Sequence, residues 1–292
     1  MEEGDGRMNR RKVLATGVSI ACGLSIGTNG VVSRAESDIN KKKFKKTIQS
    51  SLVYREATQS RKKWEDYLEK HDISIHSNSY SFNKQNSGDG SGGKFTRTQE
   101  LSGQSDLDIT MGLAEDKNKN YYADLEWSYD AAEWGGDSGE KPRDGVGILY
   151  DKNWWNLLYD SISKTTETTS KQQYVEYEDG SYDGNGPGFT VDDFDMERDN
   201  DMQGGPYYAG VYLEPIGDYS EEQRQVYGEY LHNWNESTSV TSMSVSYPSG
   251  GISLSYEEEE NVKEWKTDTE KDGDTLLKVK QEEASDDSGS EY

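Results

Sequence analysis

The sequence predicts a mainly β protein, an antiparallel β-sandwich or barrel-like domain with a short helical N-terminal region. Three observations carry that expectation. Apolar residues recur at every second position in short runs. Gly-, Asp- and Ser-rich turns separate the runs. No amphipathic helical stretch stands between them, which speaks against a parallel α/β sheet.

The elements follow in order. Residues 41–53 are weakly amphipathic and read as helical. Ser60 to His71 is a clearer helix: Trp64, Tyr67 and Leu68 share one face, and Ser60 is placed to cap it. Ile73, Ile75 and Tyr80 open the alternating region, and Asn83 to Gly93 reads as a loop by composition. Alternation then runs through Leu107, Ile109, Met111 and Leu113, through Leu125, Trp127 and Tyr129, and through Val146, Ile148 and Tyr150. It resumes with Tyr207, Ala209, Val211 and Leu213, and Gly228, Tyr230, His232 and Trp234 share one face of the next run. Ser242–Tyr247 and Ile252–Tyr256, joined by Pro248-Ser249-Gly250-Gly251, read as a hairpin. Asp274 to Lys280 reads as a last strand and Glu282 to Tyr292 as a solvated acidic tail. Alternation implies that one face of each sheet is polar and wet.

Composition narrows the class. Among 292 residues, 32 are Lys or Arg and 56 are Asp or Glu, a formal charge of −24. Leu, Ile, Val and Phe together number only 46, but 20 Tyr and 7 Trp supply large apolar surfaces from which a core can be built. So acidic a chain repels a polyanion, which excludes general nucleic-acid binding. One Cys excludes a disulfide framework and a thiolate zinc site, and three His leave little for a His-rich metal site.

The N-terminus carries an address. Arg10 and Arg11 precede a mostly apolar or small stretch from Val13 to Ile26, and Ser33-Arg34-Ala35 suits cleavage after Ala35. Asn9-Arg10-Arg11-Lys12-Val13-Leu14 looks like a twin-arginine signal, with Met8 as an alternative start. The apolar stretch is too short for a convincing membrane span. Ser19-Ile20-Ala21 is a poor lipobox for lipidation of Cys22. The expected parts are therefore a signal over 1–35, a basic helical segment over 36–72, a β-rich domain over 73–281 and an acidic tail over 282–292. The mature chain would hold 27 Lys/Arg against 53 Asp/Glu and no Cys.

Charge is divided along the chain. Residues 41–70 hold ten Lys/Arg against four Asp/Glu, whereas 71–292 hold 17 against 47. The basic segment is expected to dock on its own acidic domain, with weak contact to a membrane surface, aided by Phe44 and Ile48, as the other reading. A carboxylate excess of this size destabilises a compact state at low salt, and concentrated salt screens it. The excess of Lys (22) over Arg (10) tempers the expected salt dependence.

The stretches Ser60–Tyr80 and Tyr227–Tyr256, with the Asp-rich middle and the paired arginines, resemble exported, uncharacterised proteins of haloarchaea that carry a twin-arginine signal. The resemblance implies export and a β-rich body, and it brings no activity with it.

No HExxH or P-loop motif is present, and the lone Cys lies in the expected export signal. His71 and His76 stand far from His232 in the sequence. Carboxylates are so numerous that a pair at glycosidase spacing is expected by chance. Asp199, Asp201 and Gln203, followed by Gly204, imitate the head of a calcium loop, but Gly210 stands where a bidentate Glu belongs. Asp183-Gly184-Asn185 fails in the same way at Phe194. Tyr230, His232 and Trp234 could form an aromatic stripe for a cell-surface polysaccharide, or these aromatics could be core. Asn235-Glu236-Ser237 is a glycosylation sequon. The expectation is an exported, salt-adapted, non-enzymatic extracellular or cell-surface protein without cofactor. A carbohydrate-binding or calcium-stabilised β module is the alternative, and an enzyme the distant third.

Overall fold

The computed structural model describes residues 29–82, 107–129, 143–158, 163–164, 174–178, 185–192, 195–196, 206–234, 240–246, 251–256, 263–267, 270–271, 274–275 and 277–285. The chain divides into two compact units, Met1–Ile39 and Asn40–Tyr292, and the sheets belong to the second. No helix among the described residues is long and apolar enough to cross a membrane.

The expected fold class holds: the body is antiparallel β with an N-terminal helical region. Two helices lead, α1 (Asn29–Thr58) and α2 (Arg61–Glu69). The strands are β1 (Ile73–Phe82), β2 (Leu107–Asp116), β3 (Tyr121–Tyr129), β4 (Asp144–Leu149), β5 (Trp155–Leu157), β6 (Ser163–Lys164), β7 (Val175–Tyr177) and β8 (Gly188–Val191). Then come β9 (Tyr207–Pro215), β10 (Gln225–Trp234), β11 (Val240–Ser246), β12 (Gly251–Tyr256), β13 (Lys263–Lys266), β14 (Glu270–Lys271), β15 (Asp274–Thr275), β16 (Lys278–Lys280) and a final short helix, α3 (Gln281–Ser285).

One sheet runs β1-β2-β3-β9-β5, with β6 also on β9; the other runs β13-β10-β4-β8-β7, with β16 also on β10. Their facing sides make the main core. Ile109, Met111 and Leu113 of β2, Ala123, Leu125 and Trp127 of β3, and Tyr207, Ala209 and Val211 of β9 meet Val146, Ile148, Phe189, Val191, Val226 and Tyr230 from the second sheet. These are the alternating runs of the sequence, and period two places each set on one face.

The opposite faces are not wet, contrary to the expectation from alternation. On the first sheet, Ala114, Tyr122, Tyr208 and Tyr212 pack against Phe44, Ile48 and Leu52 of α1 and Trp64 and Leu68 of α2. On the second, the β11–β12 hairpin seats Met243, Ile252 and Leu254 on Leu231, and Val245 on Leu149 and Tyr227. The order is helices, sheet, sheet, hairpin, so both sheets are covered twice. Two glycines allow this closeness. A Cβ at Gly210 would lie 1.9 Å from the Tyr122 hydroxyl, and one at Gly112 would lie 2.5 Å from an Arg61 guanidinium nitrogen.

Local signals explain the helices. Ser60 is extended (φ −145, ψ 114) and accepts the Lys63 N–H at 3.4 Å, the cap expected from sequence. Trp64 is fully buried, and its Nε1–H donates to Ser51 Oγ of α1 at 2.9 Å, which locks the helices together. Helix α1 extends in both directions beyond the expected 41–53.

Other boundaries also differ. Asp274 to Lys280 is not one strand: β15 pairs with β14, and β16 pairs with β10. The start of the expected acidic tail is folded. Glu283 accepts the Lys280 N–H at 2.7 Å, Ala284 is 1% exposed, and Gln281 donates to the Tyr121 hydroxyl at 2.6 Å. An early side-chain cap and one apolar contact thus hold α3 within an acidic segment.

Candidate functional site

Three polar groupings stand out once the layers are assembled. The first lies between the helices and the first sheet. Period two turns Asp124 and Glu126 of β3 away from Leu125 and Trp127, toward α1. Arg55, on the same stripe of α1 as Ile48, meets them. Its guanidinium donates to Asp124 at 2.7 Å and to Glu126 at 2.5 Å, and Arg61 of α2 donates to the other Asp124 oxygen at 2.8 Å. The Arg55 and Asp124 side chains are 1% and 0% exposed. The Arg55 guanidinium lies 4.3 Å from the Trp64 ring centroid and 4.1 Å from that of Tyr208. Burial alone would favour losing its charge, but the Asp124 and Glu126 carboxylates outweigh that and hold it protonated far above any working pH. Arg61 also bonds Glu65 at 2.8 Å and Ser77 of β1 at 2.9 Å.

The second lies where β4 meets β10. Asp144, 1% exposed, accepts the Tyr230 hydroxyl, the Asn233 N–H at 2.8 Å and His232 Nδ1 at 2.9 Å. Burial lowers the His232 pKa, but the Asp144 charge and hydrogen bond outweigh it, and the net shift is upward. Asn233 Nδ2 bonds back to the Arg143 carbonyl at 3.1 Å. Three donors on one carboxylate hold the ends of two neighbouring strands in register. Tyr230 itself is 1% exposed and tilts on Trp127, with ring centroids 6.4 Å apart, inside the main core. It therefore offers no ring face to a sugar.

The third is on the outside of the helices. Tyr54 stacks on Tyr67 at 5.1 Å and 27°, and Tyr67 stacks on His71 at 4.3 Å and 25°. Tyr54 is 39% exposed. Sequence reasoning placed Tyr67 on the buried face of α2, yet it lies at that face's rim. The spacing Tyr67-x-x-x-His71 was the available signal for a helical stack.

The remaining sequence candidates are placed as follows. Trp234 pairs through its backbone with Lys263, and its side chain lies outside the described residues. Asp199, Asp201, Gln203 and Asn235 lie outside the described residues as well. Asp192, at the head of the acidic stretch, is bonded by Arg143 Nε at 3.2 Å and by the Asp195 N–H at 2.9 Å. Among the described residues, no group of three or more His, Cys, Asp or Glu side chains is placed to hold a metal ion.

No protein-family model and no curated protein matches the chain. Among solved structures it is similar to the T6 backbone pilin of serotype M6 Streptococcus pyogenes, described as a modular three-domain structure decorated with variable loops and extensions. That likeness has 9% identity and a TM-score of 0.26, and it covers 66% of this chain and 35% of the pilin, so the chain spans about a third of the pilin's length.

Proposed function

We propose that the chain is an exported, salt-adapted, non-enzymatic extracellular or cell-surface protein. The observation that carries this reading is the use to which its buried charges are put. Arg55, Arg61 and Asp124 bind the helices to a sheet, and Asp144 with His232 binds two strand ends. The basic segment is thereby joined to the chain's own acidic sheet, and Lys41 adds an outer pair with Glu214 at 2.6 Å. Networks of this kind supply rigidity in a chain without disulfides, and the outward carboxylates fit a protein that works in concentrated salt. A carbohydrate-binding role through Tyr230 and His232 is less well supported, because Tyr230 belongs to the core.

Export is tested in a host with twin-arginine transport. Arg10→Lys with Arg11→Lys should retain the protein inside the cell, and the secreted wild type should begin at Glu36. Undiminished secretion of the double variant would remove the proposed route.

A further inference from the structure

The buried and exposed faces of α1 are both specialised. Phe44, Ile48, Ser51, Leu52 and Arg55 point into the fold. On the helical wheel the opposite side carries Lys42, Lys43, Lys46, Ser50, Val53 and Tyr54, all exposed. Lys42, Lys43 and Lys46 make no ion pair with a described residue, whereas Lys41 is bound to Glu214 and Lys45 lies 5.5 Å over the Tyr212 ring. Val53 is 54% exposed, among the most exposed large apolar side chains described, and Tyr54 lies beside it. Three exposed lysines and an apolar end thus share one helix face, on a chain that is otherwise strongly anionic.

We propose that this face docks on a lipid surface with anionic headgroups. The inference rests on the exported-protein reading only for where such a surface is met. Charge complementarity selects the face: the carboxylate-rich body is repelled by anionic lipid, so the lysine side of α1 is the part that can approach. A helix lying along a sheet presents its outer side parallel to a membrane plane, with lysines at the phosphates and Val53 at the acyl boundary. Tyr54 suits the same depth, with an apolar ring and a polar tip. A glycan is the less fitting partner. Sugar stacking needs free ring faces, and the Tyr67 ring is already engaged in stacking with Tyr54 and with His71. The contact differs from the one the sequence suggested, because Phe44 and Ile48 are buried against the sheet.

The experiment is co-sedimentation with phosphatidylglycerol and with phosphatidylcholine vesicles, at the lowest NaCl at which circular dichroism shows the protein folded. Binding to phosphatidylglycerol alone is expected, reduced but not abolished as NaCl rises, because Val53 and Tyr54 add an apolar contact that salt does not screen. The triple variant Lys42→Gln, Lys43→Gln, Lys46→Gln should lower the partition coefficient about tenfold or more. Val53→Ser with Tyr54→Ser should lower it as well, and Lys152→Gln, an exposed lysine elsewhere, should leave it unchanged. Absence of binding, equal binding to phosphatidylcholine, or an equal loss in Lys152→Gln would overturn the proposal. So would sedimentation without vesicles, which would mark a second copy as the occupant, or full competition by a neutral polysaccharide. The secretion assay reads Arg10 and Arg11 and is indifferent to these lysines, so failure of either leaves the other standing.

Discussion

Replacing Asp124 by Asn keeps the shape of the side chain and removes one charge from the centre of the helix–sheet junction. Asp124 is fully buried and serves two arginines, Arg55 at 2.7 Å and Arg61 at 2.8 Å. After the change Arg55 retains Glu126 and Arg61 retains Glu65, so two cations that shared three carboxylates must share two. Removing one member of a buried ion pair typically costs about 3–5 kcal/mol, because the partner charge remains desolvated. That is a large part of the stability of about 5–15 kcal/mol usual for a domain. Glu126→Gln should cost less, since its side chain is 12% exposed and it touches Arg55 but not Arg61. Urea is the denaturant of choice, because guanidinium would itself act as the salt. At fixed NaCl the midpoint should fall with an unchanged slope, and the loss should be the same at low and high NaCl, since water and ions do not reach the pair. A loss below about 1 kcal/mol, the range of an exposed pair, would refute the view that this cluster fixes the helices.

Other consequences are also measurable. His232 binds its proton more tightly in the folded chain than its ordinary value of 6.5, so the stability it contributes is fully present below about pH 6.5. That contribution is lost as pH rises through the raised folded value. A urea series across pH should show this alkaline decline in the wild type and not in His232→Gln. Gly210→Ala should destabilise by about 1–3 kcal/mol, because the fully buried Tyr122 ring must shift to admit a Cβ. A neutral result there would mean that the helix side of the first sheet is more loosely packed than described.

The long strands were legible because their period shows over six or more residues, as in Leu107–Leu113 and Tyr207–Leu213. The cap at Ser60 was legible because capping is local. Strands β5 to β8 and β13 to β15 were not, since two to four residues are too few to display a period. The second cover on each sheet left a readable trace that alternation concealed. Tyr122, Tyr208 and Tyr212 occupy the nominally polar positions of β3 and β9, and large aromatics there mark a face that something covers. Arg55 was on the helix stripe with Phe44, Ile48 and Leu52, but a burial pattern alone does not distinguish a charge that faces solvent from one that faces a carboxylate. Asp144 and His232 meet from 88 positions apart, and only the β4–β10 pairing brings them together. The acidic stretch beginning at Asp192 is six carboxylates among ten residues, and one of them, Asp192, is already spent on Arg143.

Packed layers and buried ion pairs hold the fold together, and the proposed salt adaptation assigns its dependence on salt to the carboxylate excess. Thermal unfolding between 0.1 and 3 M NaCl tests this directly. With a formal charge of −24, the midpoint should climb steadily into the molar range as the Debye length falls to about 3 Å near 1 M. Asp124→Asn should trace a parallel curve displaced downward. A midpoint that stays flat across the series would contradict salt adaptation, and a variant curve that rejoins the wild type at high salt would contradict the buried character of the cluster.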